Sequence, residues 1–163
     1  MPNHSIHDAT LEDLMLVGSW LCDEDRIELA ATRDPDDYES LALDAWSSPF
    51  KMVALAETRP VFAFGARPSY TGSDTALVWG FKTESGWAAA RTVTKYINRV
   101  MIPELRAFGI RRAMCLVHPG NVRSQRWLAF LSFRPKATLR GFGPRNQDML
   151  LFQRDEPDAP LPS

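Results

Sequence analysis

Between residues 50 and 81 the chain carries three apolar runs, FKMVALAE (50–57), VFAFGARP (61–68) and TALVWGF (75–81), parted by TRP and by a loop containing SYTGSD. Runs of this length, rich in aromatic and aliphatic residues and bounded by turn formers, read as neighbouring antiparallel strands. The TRP segment predicts a hairpin, with Pro60 at the strand entrance, where its missing N–H does least harm. The period then changes. In ESGWAAARTVTKYINRVMIPELRAFG (84–109), Trp87, Ala90, Val93 or Thr94, Ile97, Met101, Leu105 and Phe108 recur at three- and four-residue steps, and Gly109 is a fitting stop. Pro103 has no N–H for the carbonyl of Arg99, so this helix must bend or split.

The flanking segments complete the order. Thr10 followed by Asp13 reads as a capping box, and Leu11, Leu14, Met15 and Val17 give a helix from about 11 to 21 its apolar face. DEDRIELAA predicts a second short helix whose first carboxylates offset the dipole. Asp34 as cap and Pro35 in the first helical position predict a third, ending before Pro49. Downstream, RRAMCLVH reads as a short buried strand, NVRSQRWLAFLSF as a helix, and KATLR and DMLLFQR as two strands separated by GFGPRNQ. The reading is one α/β (α+β) domain over residues 1–154, followed by an acidic, Pro-rich tail over 155–163 that is expected to be mobile.

A chain of 163 residues suits one domain, and at 45% apolar and 24% charged it has an ordinary globular composition. No apolar run approaches the ~20 residues that span a bilayer, and MPNHSIHDAT lacks a basic-then-apolar signal sequence. The expected location is cytoplasmic, or within a particle assembled there. Cys22 and Cys115 stand 93 positions apart with no CxxC pair, so both are read as reduced, buried thiols, and no metal site is expected. Charge is uneven. Residues 1–49 hold twelve Asp or Glu against two basic residues, whereas residues 105–147 hold nine basic residues and no acid. That asymmetry leaves open an anionic partner, nucleic acid included, although the basic residues follow no aromatic-interleaved motif.

The element order resembles the GNAT fold, that of the acyl-coenzyme-A-dependent N-acetyltransferases, over residues 1–154. The resemblance implies a mixed, mostly antiparallel sheet of six or seven strands flanked by helices. It also implies that the strand after the long helix splays away to admit the pantetheine arm, and that the helix N-terminus holds the coenzyme pyrophosphate. An unpaired helix N-terminus favours an anion on general grounds. The offsets of the family's later segment are occupied by Asn121, Ser124, Trp127, Leu128, Ser132 and Phe133. Leu128 stands where the family usually places the Tyr that protonates the departing thiolate, and a Leu cannot donate that proton.

The pyrophosphate loop is matched by TESGWA (83–88), so the resemblance offers Thr83, Ser85, Gly86, Trp87, Ala88 and Asn121 as candidate coenzyme contacts. Glu84 is adverse to an anion there, and a plain strand-to-helix turn capped by Ser85 is the alternative. TALVWGF carries no acidic residue to act as base. His118, at the end of the next strand, and Glu57, at the end of the first, are the remaining candidates.

A narrower resemblance is to GNAT-like internal virion or assembly proteins of short-tailed bacteriophages. It is carried by DRIELAA, DAWSSPFKMVALAETRPVFAFGARP, ALVWGFKTE and the Asn121–Phe133 segment, in that order. It implies a non-catalytic protein that docks to other phage structural or assembly proteins in the host cytoplasm or the virion, with no cofactor. The alternatives are an acyltransferase using acetyl-coenzyme A through an atypical loop, and a nucleic-acid-binding module using residues 105–147. On every reading Trp127, Phe130, Leu131 and Phe133 are expected in the core. Asn121 is expected to fix the helix entrance, and Arg123 and Arg126 to face solvent.

Overall fold

The computed structural model describes residues 2–155; the tail expectation therefore lies almost wholly outside the described residues. Seven strands form one sheet in the order β1-β2-β3-β4-β5-β7-β6, namely β1 (His4–Asp8), β2 (Phe50–Ala56), β3 (Arg59–Pro68), β4 (Thr75–Lys82), β5 (Arg112–Val117), β6 (Arg134–Leu139) and β7 (Met149–Asp155). Every pairing is antiparallel except that of β4 with β5. The sheet is thus the mixed, mostly antiparallel one expected. The edge strand β1 was not foreseen, because HSIHD carries one apolar residue and gives no alternating pattern to detect.

Period-two alternation sorts the strand residues onto two faces. Met52, Ala54, Phe62, Phe64 and Ala66 build one core with the long helical segment and the later helix, while Val53, Ala63 and Phe81 build another with the N-terminal helices. Phe62 meets Trp127 at 5.4 Å and Phe64 meets Tyr96 at 5.9 Å between ring centres. The Trp127 indole donates to Thr94 Oγ1 at 2.8 Å, which settles its polar edge inside the first core.

The N-terminal helices are α1 (Leu11–Ser19), α2 (Asp23–Thr32) and α3 (Tyr38–Trp46). The capping box of α1 forms as predicted, with Thr10 Oγ1 accepting from the Asp13 N–H at 3.1 Å and Asp13 Oδ2 accepting from the Thr10 N–H at 3.0 Å. Thr10→Ala is expected to lower unfolding stability by about 1 kcal/mol in denaturant titration. Helix α3 begins later than expected. Its cap is Asp37, which accepts from the Ser40 N–H, and not Asp34; Asp36, in the left-handed region at φ 66°, turns the chain just before it.

The long helical pattern resolves into a 3-10 helix (Glu84–Ala89), α4 (Ala90–Tyr96), a π turn (Ile97–Met101) and α5 (Ile102–Ala107). The π turn is the physical answer to Pro103. Ile102 N–H reaches back to the Ile97 carbonyl, widening the helix so that the proline enters α5 in its first turn, where no N–H is needed. Helix α6 (Val122–Phe130) follows β5 and ends beside the core. Leu128, Leu131 and Phe133 are buried, but Phe130 is 77% exposed, against expectation, because the 3.6-residue turn carries it to the outer face. No helix among the described residues is long and apolar enough to cross a membrane.

Candidate functional site

Strands β4 and β5 pair over three positions, Thr75 with Arg112, Ala76 with Ala113 and Leu77 with Met114, and then part. The resulting V opens onto a cavity of about 490 Å³ whose walls include Val78, Phe81, Cys115, Val117, Trp127 and Leu128. Two parted strands leave edge N–H groups that must find acceptors. They find them on α2.

Asp25, in the acidic first turn of α2, reaches the end of β4. Its Oδ2 accepts from both the backbone N–H and the Nζ of Lys82, each at 2.9 Å. Lys82 is 2% exposed and Asp25 4%, so this is an ion pair removed from water. The Cys22 N–H donates to the Lys82 carbonyl at 2.9 Å, so both backbone groups of Lys82 are held by the start of α2. Three residues on, Glu28 reaches the end of β5. Its Oε1 accepts from the His118 N–H at 2.9 Å and from Asn121 Nδ2 at 2.8 Å. Burial, followed by the nearby Asp25 charge, pushes the Glu28 carboxyl up to about 7. Burial likewise pushes Cys22 and Cys115 up to about 12, so neither is a thiolate nucleophile.

The residues singled out from sequence fall unequally around this V. Asn121 is buried and caps α6 through its Oδ1, which accepts from the Ser124 N–H, as expected. His118 stands at the mouth, but its basic nitrogen is engaged: Nδ1 accepts from the Gly120 N–H at 2.9 Å, which leaves Nε2 to donate to Gln147 Oε1 at 2.9 Å. Glu57 lies away from the V on the β2–β3 turn, with φ 55°, accepting from the Asn3 N–H.

The Thr83–Ala88 turn closes on itself. Its cap is Thr83 rather than Ser85, with Thr83 Oγ1 accepting from the Gly86 N–H at 3.2 Å while the Thr83 carbonyl accepts from the same N–H at 2.9 Å. Ser85 is exposed and touches the Thr83 hydroxyl instead. Gly86 is required because a Cβ there would run into the Val61 carbonyl oxygen. Ala88 is exposed on the 3-10 helix. The Trp87 ring is flanked by two cations, Lys82 Nζ at 4.4 Å and the Arg123 guanidinium at 4.2 Å from its centre. Arg123 does not simply face solvent: it pairs with Glu84 at 3.2 Å and Glu24 at 3.7 Å.

Asp25, Glu28 and Lys82 are therefore the chemistry that sequence reading missed. The acids looked like ordinary charge at a helix N-terminus and the lysine like a strand end. A signal was present: positions 22, 25 and 29 form one helical stripe, and Asp25 interrupts it between the apolar Cys22 and Leu29.

No family model matches the chain, and no curated protein does. Among solved structures it is similar to the ribosomal-protein-S5-alanine acetyltransferase from Vibrio fischeri, at 14% identity and a TM-score of 0.66, over 97% of this chain and 96% of that one. It is similar to Ard1 from Thermoplasma volcanium at 14% identity and a TM-score of 0.68, over 95% and 99%. A third likeness is to a Salmonella typhimurium protein named for acetyltransferase activity and solved with its cofactor acetyl-CoA, at 15% identity and a TM-score of 0.67, over 99% and 98%. With its parted fourth and fifth strands and the long helix between them, this chain has the GNAT fold.

Proposed function

We propose that the chain is a non-catalytic GNAT-fold protein that acts by docking to other proteins, with virion or assembly components of a short-tailed phage as the partner class suggested by sequence resemblance. The observation that carries the loss of catalysis is the state of the anion cradle. At a working cradle, free helix N–H groups and cations converge on a diphosphate. Here the Gly86 N–H is bound to Thr83, and Arg123 is spent on Trp87, Glu24 and Glu84. A coenzyme diphosphate would meet the Glu84 carboxylate at this turn. The residues present do not fit coenzyme A, and Leu128 supplies no proton.

Docking is supported by Trp20, 72% exposed at the end of α1 beside a surface cavity of about 620 Å³ that is also lined by Leu16, Arg59 and Pro60. An exposed Trp next to a concave, partly apolar surface is a common form of protein-binding anchor. The nucleic-acid reading is weakened by pairing within the basic segment, where Arg112 meets Asp155, Arg123 meets Glu24 and Glu84, and Arg140 meets Asp148. Arg145 donates to the Ala30 and Arg33 carbonyls of the acidic half.

A second reading, acyl transfer to an amine, is favoured by the cavity in the V and by Glu28 at its mouth, a carboxyl poised to take a proton near neutrality. Titration with acetyl-coenzyme A separates the two. On the docking reading, millimolar ligand gives no heat and no shift in melting temperature. Saturable binding, with acyl transfer that Glu28→Gln abolishes, would establish the transferase instead.

A further inference from the structure

The mouth of the V has a chemistry of its own, separate from whether coenzyme A binds. Two edge N–H groups (Lys82 and His118), one ammonium (Lys82) and one carboxamide (Asn121) converge there as donors. Such a set is built to hold acceptor oxygens. Two carboxylates on one face of α2, a turn apart, hold all four. Asp25, Glu28 and Leu29 are themselves among the walls of the cavity of about 490 Å³, so α2 lines that space with polar as well as apolar groups.

We propose that α2 is an internal ligand of the V: Asp25 and Glu28 occupy a carboxylate-binding site at the ends of β4 and β5, and a free small carboxylate can take the place of the Asp25 side chain. The structural basis is specific to Asp25. A single oxygen, Oδ2, satisfies both a backbone N–H and a buried ammonium, which is the arrangement of a bound carboxylate and not of a surface ion pair. Lys82 Nζ has further favourable contact with the faces of Trp87 and Phe62, at 4.4 and 5.2 Å, and these hold the ammonium in place when its partner is removed.

Asp25→Ala opens the site while leaving its donors, and acetate and formate are the probes. The variant should melt at a lower temperature than the parent. Acetate or formate should then restore part of the loss saturably, with a midpoint of roughly tens of millimolar, as expected for a weak ligand of the native state. Chloride at the same ionic strength should not. Lys82→Met in the same background should abolish the rescue, since it removes the ammonium. Equal effects of acetate and chloride would overturn the proposal, as would rescue that survives loss of Lys82.

If Asp25→Ala does not fold, Glu28→Ala tests the other half by hydrogen exchange. Amides of 118–124 and of α2 should exchange at least roughly tenfold faster, relative to those of β2 and β3, because local opening is then cheaper. A uniform rise across the sheet would refute the proposal that α2 is held at the V by these carboxylates. None of these measurements involves coenzyme A, so their failure and failure of the docking reading are distinguishable.

Discussion

Lys82→Met unfolds about 3–5 kcal/mol more easily than the parent, measured by denaturant titration at neutral pH, because it strands Asp25 as an unpaired charge inside the protein. The mechanism predicts more than a loss. Asp25 also accepts the Lys82 backbone N–H, so a neutral acceptor can still serve that bond. The double variant Asp25→Asn with Lys82→Met should therefore recover a large part of what the single variant loses, since removing both charges is far less costly than removing one. Additive losses in the double variant would show that the pair is not coupled.

Glu28→Gln alters how stability depends on pH. The Glu28 carboxyl holds its proton more tightly in the fold, to about 7, than its ordinary value near 4.5 would allow. A group raised in this way contributes stability that is fully present below about pH 4.5 and is lost as pH rises through 7. From pH 4.5 to 8 the loss amounts to about 3 kcal/mol. The groups facing it are Asp25 on its own helix, Lys82 from β4, the His118 N–H beyond β5 and Asn121 at the start of α6. Asp25 reinforces the rise, and the other three oppose it. Gln keeps an acceptor for His118 and Asn121 without ever acquiring charge. Its stability relative to the parent should climb by that amount across the interval, and parallel curves for the two proteins would refute the assignment.

Both effects arise at residues whose roles were hard to see in the sequence, and the reason is physical. Local signals carried what local physics decides. Thr10 and Asp13 sit within one turn, so their mutual capping was legible, as was the break forced by Pro103, although the π turn that absorbs it was not. Strands β2, β3 and β4 announced themselves by runs rich in apolar residues. Helix α3 was misplaced at its start because Asp34 and Asp37 are equally good caps and the turn at Asp36 decides between them. At the turn of residues 83–88 Ser85 was the expected cap, but Thr83, whose N–H donates to the Val61 carbonyl, is the cap.

The site was less legible because it is a long-range construction. Asp25 and Lys82 are 57 positions apart, and Glu28 and His118 are 90 apart. The one local hint is the place of Asp25 on the stripe between Cys22 and Leu29, and it is masked because a helix N-terminus welcomes acids in any case. Asn121 fixes the entrance of α6 as expected, whereas the free electron pair of His118 is committed to its own turn, which the spacing of residues cannot reveal. The family resemblance drew attention to Leu128, at the place where a Tyr is expected, and to Glu84, a carboxylate adverse to an anion at that turn.

The join between β4 and β5 spans only three residue pairs, and everything from β1 to β4 lies on one side of it, with β5, β7 and β6 on the other. The sheet is thus two leaves on a short spine. The pairing that ends at Leu77 and Met114 is the shortest backbone join in the sheet, so this seam is held by the fewest ladder hydrogen bonds. Helix α2 touches the ends of both leaves through the Asp25 and Glu28 carboxylates, in addition to the packing of Leu29 in the second core. Phe62, Ala66, Val117 and Phe152 belong to one apolar core shared by both leaves, so widening the central gap would cost core packing as well as the four hydrogen bonds to α2.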